Sequence, residues 1–400
     1  MVQINHLSTT KCNLPASFLL FLAMLNRRTL RIKIMQSLFA YEQCKEAEYL
    51  ISLDYLTAFF QPDLNSMEVQ DKVLLKAQHA VAVKQFEKQF LGESVIENSD
   101  HRINQAVSGA ITQHKNQTSR DFDYFLKNIV LDVEKINVFY YSVLNLIPAF
   151  ASVAAQDQKI HSKNLTANPF VHALRNNTDL KKETLRSGGG WDQQMDIIRG
   201  WFRDCVKSDK EFHSYIKLIS PEMEAHKLFA KHLIRQIILG KTIINSHFEE
   251  ADLRWAEDYD IVRSMADKTL KSLDENLLTI ELQKLSLDWE EDKEFIEKLF
   301  VSTIHLDKSY QELIAANTKN WEVDRLPLTD RVILQMAIVE MTDFPNIPVK
   351  VTINEYIELA KLYSPPNSRQ FINGILDVIA KNLKESGKIK KSGRGLMDNK

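Results

Sequence analysis

Glycine and proline are scarce: 11 and 10 of 400 residues, against usual levels of about 7% and 5%. So few turn-makers exclude a many-stranded sandwich or barrel and argue against a dinucleotide-binding α/β enzyme. Cysteine is rarer still. Cys12, Cys44 and Cys205 lie far apart, so neither a disulfide framework nor a paired-cysteine zinc site can be built, and a reducing, cytoplasmic setting is expected. Charge of one sign is also missing. With 51 Lys+Arg against 53 Asp+Glu, there is no uniformly basic coat, and any nucleic-acid site must be a local patch. Long apolar runs are absent too. Phe18–Leu25 is eight residues, short of the roughly 20 that span a bilayer. It lacks a small-residue cleavage site, and it reads as an extension, with Met24 an alternative start.

Catalytic patterns fail in the same way. Gly240-Lys241-Thr242 ends like a phosphate loop, but Arg235 stands where the first glycine is needed. Gly188-Gly189-Gly190 has no dinucleotide spacing. The eleven histidines form no zinc-protease motif, and no serine nucleophile elbow occurs. No metal, cofactor or catalytic set is expected, and the chain reads as a binding protein rather than an enzyme.

What is present is helical periodicity. Leu30, Ile34, Leu38 and Tyr41 recur at i, i+4, i+8 and i+11, one stripe of an amphipathic helix over 26–45. Arg27, Arg28, Arg31 and Lys33 crowd its first two turns, where cations oppose the helix dipole. That pattern suits an external anion. Further helices are expected over 46–155, with a polar loop edge at 98–120, and over 191–204, 207–219 and 221–249. Residues 156–190 are the least regular. One helix is expected over 293–317 and another over 328–342. Thr352 to Glu355 reads as a capping box, and a final helix follows Asn367 or Ser368. Gly374 inside it costs about 1 kcal/mol against Ala, which a close helix–helix approach would explain. Residues 386–400 read as a disordered basic tail. The fold class is all-α.

The string NRRTLRIKIMQSLFAYEQ at 26–43 resembles the opening helix of the NusB family of transcription antitermination factors. The C-terminal part resembles it further through Trp321, LPLTDRVIL at 326–334, Glu340, IPVKVTINEYIELAK at 347–361 and SRQFINGILDVIA at 368–380. The resemblance implies two small helical bundles with a large helical insertion after the first helix. Residues 24–45 with 291–320 would form the N-terminal subdomain, 46–290 the insertion and 321–385 the C-terminal subdomain. Residues 1–23 would be an extension.

The family further implies a non-enzymatic factor without cofactor. It binds single-stranded boxA-type leader RNA together with NusE, a ribosomal small-subunit protein. The complex joins the RNA polymerase elongation complex, away from any membrane, and suppresses premature termination, notably on ribosomal RNA operons. By position, Arg27, Arg28, Arg31, Lys33, Gln36 and Phe39 match RNA-binding positions. Asp330, Asn367 and Phe371 match partner-binding ones. Phe39 fits a base platform or a core position equally, and Asp330 a partner contact or a helix cap. Four phosphate contacts predict a log–log salt slope of about −3 for single-stranded RNA. Thr29 and Pro365-Pro366 depart from the family pattern. The alternative is a protein-interaction scaffold of the same fold that acts through its insertion without specific RNA binding.

Overall fold

The opening stripe does form a helix, and it runs further than its sequence signals suggest. In the computed structural model, which describes residues 25–399 apart from 66, 68, 94–99, 160–161 and 318–325, α1 spans Arg27–Phe59. Asn26 caps it, its Oδ1 accepting from the Thr29 amide at 2.9 Å. Nothing stops the helix at residue 45, because no Gly or Pro occurs before Pro62. Two further long helices follow, α2 (Lys72–Phe90) and α3 (His101–Gln156). The polar stretch read as a loop edge at 98–120 is helical from His101. Polar side chains alone do not break a helix that keeps one apolar face, and here Ile103, Ala106, Val107 and Ala110 are buried. Gly109, on that stretch, stands close to α1: a Cβ there would lie 2.5 Å from the Tyr55 hydroxyl.

Thirteen more α-helices complete the described chain. Short ones come first: α4 (Lys163–Thr166), α5 (Pro169–Asn176), α6 (Thr178–Ser187), α7 (Met195–Trp201), α8 (Lys210–Ile216), α9 (Met223–His232) and α10 (Thr242–Ala251). Then come α11 (Trp255–Lys271), α12 (Trp289–Ile304), α13 (Lys308–Asn317), α14 (Leu328–Asp343), α15 (Val349–Tyr363) and α16 (Ser368–Glu385). No strand occurs among the described residues, which makes the chain all-α, as the scarcity of turn residues predicts.

The chain divides into two compact units. The first joins the described residues up to Thr29 with Asp132–Asp292. It is held by aromatic packing, with Phe248 stacked on Trp255 at 4.5 Å and Tyr215 on Phe229 at 4.0 Å. Its buried Tyr140 hydroxyl accepts from the Gln283 amide at 3.0 Å and pairs with Thr269. Burial pushes the Tyr140 pKa up to about 12, so it stays a neutral phenol.

The second unit comprises Leu30–Leu131 and Lys293–Lys400. Here the second half of α1 pairs with α2 and the start of α3. Leu56, Phe60, Leu75, Phe86, Ile103 and Val107 form their core. Tyr49 meets Phe90 at 4.7 Å and Thr57 bonds His79 at 3.1 Å, so α2 runs antiparallel to α1. The C-terminal helices α14, α15 and α16 pack on one another in the same unit.

Several sequence expectations change here. Residues 293–317 form two helices, α12 and α13, because His305, Leu306 and Asp307 intervene and Asp307 accepts from the Ser309 amide at 2.7 Å. The Thr352 capping box is not one: α15 starts at Val349 after Pro348, so Thr352 sits inside the first turn. Along α15, Ile353 and Ile357 are only half-buried, and Tyr356, Leu359 and Ala360 fill the core. The tail is mostly exposed but makes local contacts. Lys391 Nζ donates to the carbonyls of Phe344 at 2.9 Å and Glu340 at 3.2 Å, and a 3₁₀ turn covers Gly393–Asn399. Although the sequence offers no obvious spanning segment, α3 is long and apolar enough to cross a membrane by length and composition. Its most apolar stretch is 67% buried within the protein, so packing accounts for the apolarity. Residues 1–24 and Trp321 lie outside the described residues.

Gly374 is exposed, and a Cβ there would meet nothing within 4 Å; no described helix of this chain approaches it closely. Its cost as a mid-helix glycine is therefore uncompensated by packing. Gly374→Ala should raise the unfolding free energy by up to about 1 kcal/mol, read as a higher urea midpoint at unchanged slope. A lower midpoint would show a constraint on the glycine within the fold.

Candidate nucleic-acid interface and the ion pair behind it

The first two turns of α1 carry the basic residues expected to meet RNA, and the structure separates them into three groups. Arg27 is on the surface, where Nη2 pairs with Glu291 Oε1 at 2.6 Å and Nε lies 3.5 Å from Asp292. Those carboxylates, in the first turn of α12, offset the unfavourable placement of a cation at the start of α1. Arg28 is half-buried.

Arg31 points the other way. Its side chain is 3% exposed. Its guanidinium forks onto Glu340 of α14, with Nε to Oε2 and Nη2 to Oε1 both 2.7 Å. Glu340 is wholly buried and also accepts from Thr352 Oγ1 at 2.9 Å and Tyr356 Oη at 3.2 Å. Glu355 lies 3.7 Å from Arg31, and the rings of Phe295 and Tyr356 sit 5.6 and 5.8 Å from its central carbon. Burial opposes the charge, but the Glu340 carboxylate outweighs it and holds the guanidinium above its ordinary pKa. Burial beside that carboxylate also pushes the Tyr356 phenol well up. Both lone-pair sets of Glu340 are thus satisfied, as a buried charge requires. The expectation that Arg31 contacts RNA is corrected: its guanidinium faces inward to Glu340 and Glu355, and its side chain is almost wholly buried. Lys33 is also buried, at 3% exposure, and is removed from the phosphate-facing set for the same steric reason.

What remains away from the core is a row, half-buried at Arg28, Ile32 and Gln36 and exposed at Phe39 and Gln43. Arg28, Ile32, Gln36, Phe39 and Gln43 recur at i, i+4, i+8, i+11 and i+15, which keeps them on one face of a 100°-per-residue helix. The row is about 22 Å long at 1.5 Å per residue. Phe39 is 36% exposed. The choice between base platform and core position is therefore settled against the core, whose aromatic place is taken by Tyr41, buried against Phe122, Phe125 and Phe300.

The three residues assigned to a partner surface are split. Asn367 is exposed at the start of α16 and Phe371 is half-buried one turn on. Asp330 is 2% exposed in the first turn of α14. The expectation of a partner contact there is corrected, because burial leaves no surface to offer. Its Oδ1 finds no hydrogen-bond partner among the described residues. No group of three or more His, Cys, Asp or Glu side chains able to hold a metal occurs among the described residues.

Sequence reasoning missed the polar cluster around Glu340. A signal existed: Glu340 is the one charge in Val332–Met341, a run otherwise apolar but for Gln335, and such a charge demands a buried cation.

A first helix pinned by a buried ion pair to a C-terminal three-helix bundle defines the class, an all-α bundle protein. The family model of the NusB family matches residues 256–381. Among relatives, each described as a transcription antitermination protein NusB, that of Salinibacter ruber is 40% identical over 105 residues, 26% of this chain and 66% of that protein. That of Chloroherpeton thalassium is 35% identical over 140 residues, 35% of this chain and 63% of that protein. That of Bacillus cereus is 43% identical over 94 residues, 24% of this chain and 72% of that protein. The matches thus span just under two thirds of the first two relatives. No solved structure matches the chain. The chain belongs to the NusB family. The match opens at residue 256, one residue into α11.

Arg31→Met leaves Glu340 charged and unpaired in the core. It should cost about 3–5 kcal/mol of unfolding free energy, measured by urea denaturation. Arg31→Met with Glu340→Met should recover most of that loss, because two apolar side chains leave no buried charge. A loss below about 1 kcal/mol for the single variant would show that the pair is not buried in solution.

Proposed function

We propose that this protein is a transcription antitermination and elongation factor that binds boxA-type leader RNA together with NusE and suppresses premature termination, notably on ribosomal RNA operons. It joins the RNA polymerase elongation complex as a scaffold, not as an enzyme. The observation that carries this reading is the outward row on α1. There a cation (Arg28), an amide (Gln36) and an exposed aromatic (Phe39) follow one another along a single face, in a chain of the NusB family. Arginine neutralises phosphate, and an exposed ring stacks on an unpaired base. Polar amides such as Gln36 and Gln43 can read base edges. Asn367 and Phe371 supply a surface for NusE at the start of α16.

With Arg31 and Lys33 turned inward, α1 offers two arginines to phosphates instead of four cations. The salt slope expected from α1 falls from about −3 to about −1.4.

The test is fluorescence anisotropy with a boxA-like RNA and a scrambled control, with and without NusE. Selective binding, strengthened by NusE, is the expected result. Phe39→Ala should weaken selective binding by about ten- to a hundredfold, the usual value of one stacked base. Arg28→Ala should flatten the salt slope by about 0.7. Equal affinity for both RNAs in the presence of NusE would refute the reading and favour a scaffold acting through the added helices.

A further inference from the structure

The added helix α2 carries four lysines, Lys72, Lys76, Lys84 and Lys88, all exposed. They span 16 residues, about 24 Å along the helix. At 100° per residue all four fall within a 160° sector. The sector holds one carboxylate, Glu87, and is otherwise Val73, Ala77, Ala80, Val83 and, at its margin, Phe90.

This face differs from others that carry cations. On other helices, several cations are matched by a carboxylate three or four residues away: Lys45 by Glu42, Lys135 by Asp132, Lys227 by Glu224, Lys293 by Glu297, Lys361 by Glu358, and Arg199 by Asp196. None of the four lysines of α2 makes an ion pair with a described residue. They are instead placed against one another. Lys72 and Lys76, and again Lys84 and Lys88, stand at i and i+4, where like charges destabilise a helix by about 0.2–0.5 kcal/mol per pair. Lys72 adds a cation in the first turn, against the dipole. Only Glu87, three residues after Lys84, and the place of Lys88 in the last turn offset this, and the Lys72–Lys76 end has no carboxylate within its sector.

We infer that the lysine face of α2 is a second RNA-backbone contact, which extends the single-stranded RNA footprint beyond the segment read by α1. The inference rests on the RNA reading above. Three observations favour RNA as the anion. The face lies in the same unit as the row from Ile32 to Gln43. Its C-terminal end is close to α1, because Phe90 packs on Tyr49 at 4.7 Å, ten residues along α1 from Phe39. Its groups are also point charges without an aromatic row, suited to phosphates and not to bases. α1 would supply selectivity and α2 affinity that is independent of sequence.

The experiment uses the full chain and two RNAs: a short boxA-like RNA, and the same RNA extended by a run of uridines. Anisotropy titrations at several salt concentrations should show tighter binding of the extended RNA and a slope steeper by up to about 3. In the variant K72Q/K76Q/K84Q/K88Q that gain should vanish, while preference for boxA-like over scrambled RNA persists. The variant removes two repulsive pairs and, against them, the Lys84–Glu87 spacing and the last-turn cation Lys88, so its melting temperature should stay close to that of the native protein, which separates lost binding from lost fold. A native protein that prefers the boxA-like RNA but gains nothing from the extension overturns this inference alone. So does a variant that keeps the gain, or one that loses only binding to vesicles of anionic phospholipid. Absence of any RNA preference overturns the reading of α1 instead, and absence of all RNA binding overturns both.

Discussion

Arg31 and Glu340 are 309 residues apart in sequence and 2.7 Å apart in space. A charge that deep is tolerated only when its partner and remaining lone pairs are satisfied, and here Thr352 and Tyr356 complete the set. One cluster therefore fixes α1, α14 and α15 against one another. Once Arg31 is turned inward, the rotation of α1 about its axis is set. Leu30, Ile34, Leu38 and Tyr41 fall into the core, and Arg28, Gln36 and Phe39 must face out. The outward row is thus a consequence of the buried pair as much as of its own residues.

Stability alone does not explain the pair, since apolar side chains of similar volume often serve as well in such places. Register offers a better account. The apolar stripe of α1 repeats every fourth residue with side chains of similar size, so a slip by one turn would exchange Leu30 for Ile34 at little cost in apolar burial. The ion pair tolerates no such slip, because it would leave Glu340 buried and unmatched. A specific polar contact in an otherwise repetitive apolar interface is the best-attested way to fix register. For the surface proposed on α1, a cation, an amide and a ring in fixed order, register is what the fold has to hold.

The sequence makes the helical class, the stripe of α1 and the composition of the C-terminal bundle legible, because periodicity and scarce turn residues are local properties. It does not reveal which cations face outward. Arg28 and Arg31 are chemically alike and three residues apart, and only the position of Glu340, fixed by the tertiary fold, decides between them. Asp330 misleads for the same reason: an acidic residue in the first turn of a helix looks exposed until the surrounding chain covers it. The reach of α1 past residue 45 is a different kind of miss. Its polar residues after Tyr41 look like the end of an amphipathic segment, yet no breaker stands there. Leu56 and Phe60 resume burial against a core supplied by α2 and α3, which no local window contains.

That continuation bears on how the enlarged chain works. An insertion joined by a loop would be free to move independently of the helix it follows, whereas here α1 runs unbroken from the outward row into the added helices. α2 folds back along it, joined by the Tyr49–Phe90 and Thr57–His79 contacts. Whatever α2 binds is therefore held at a fixed distance from Phe39. Two weak contact surfaces on one rigid element lose little extra freedom when the second engages, so their affinities combine far better than those of surfaces joined by a flexible linker. Under the proposed RNA contacts of α1 and α2, α1 would then act as the ruler that sets the distance between them.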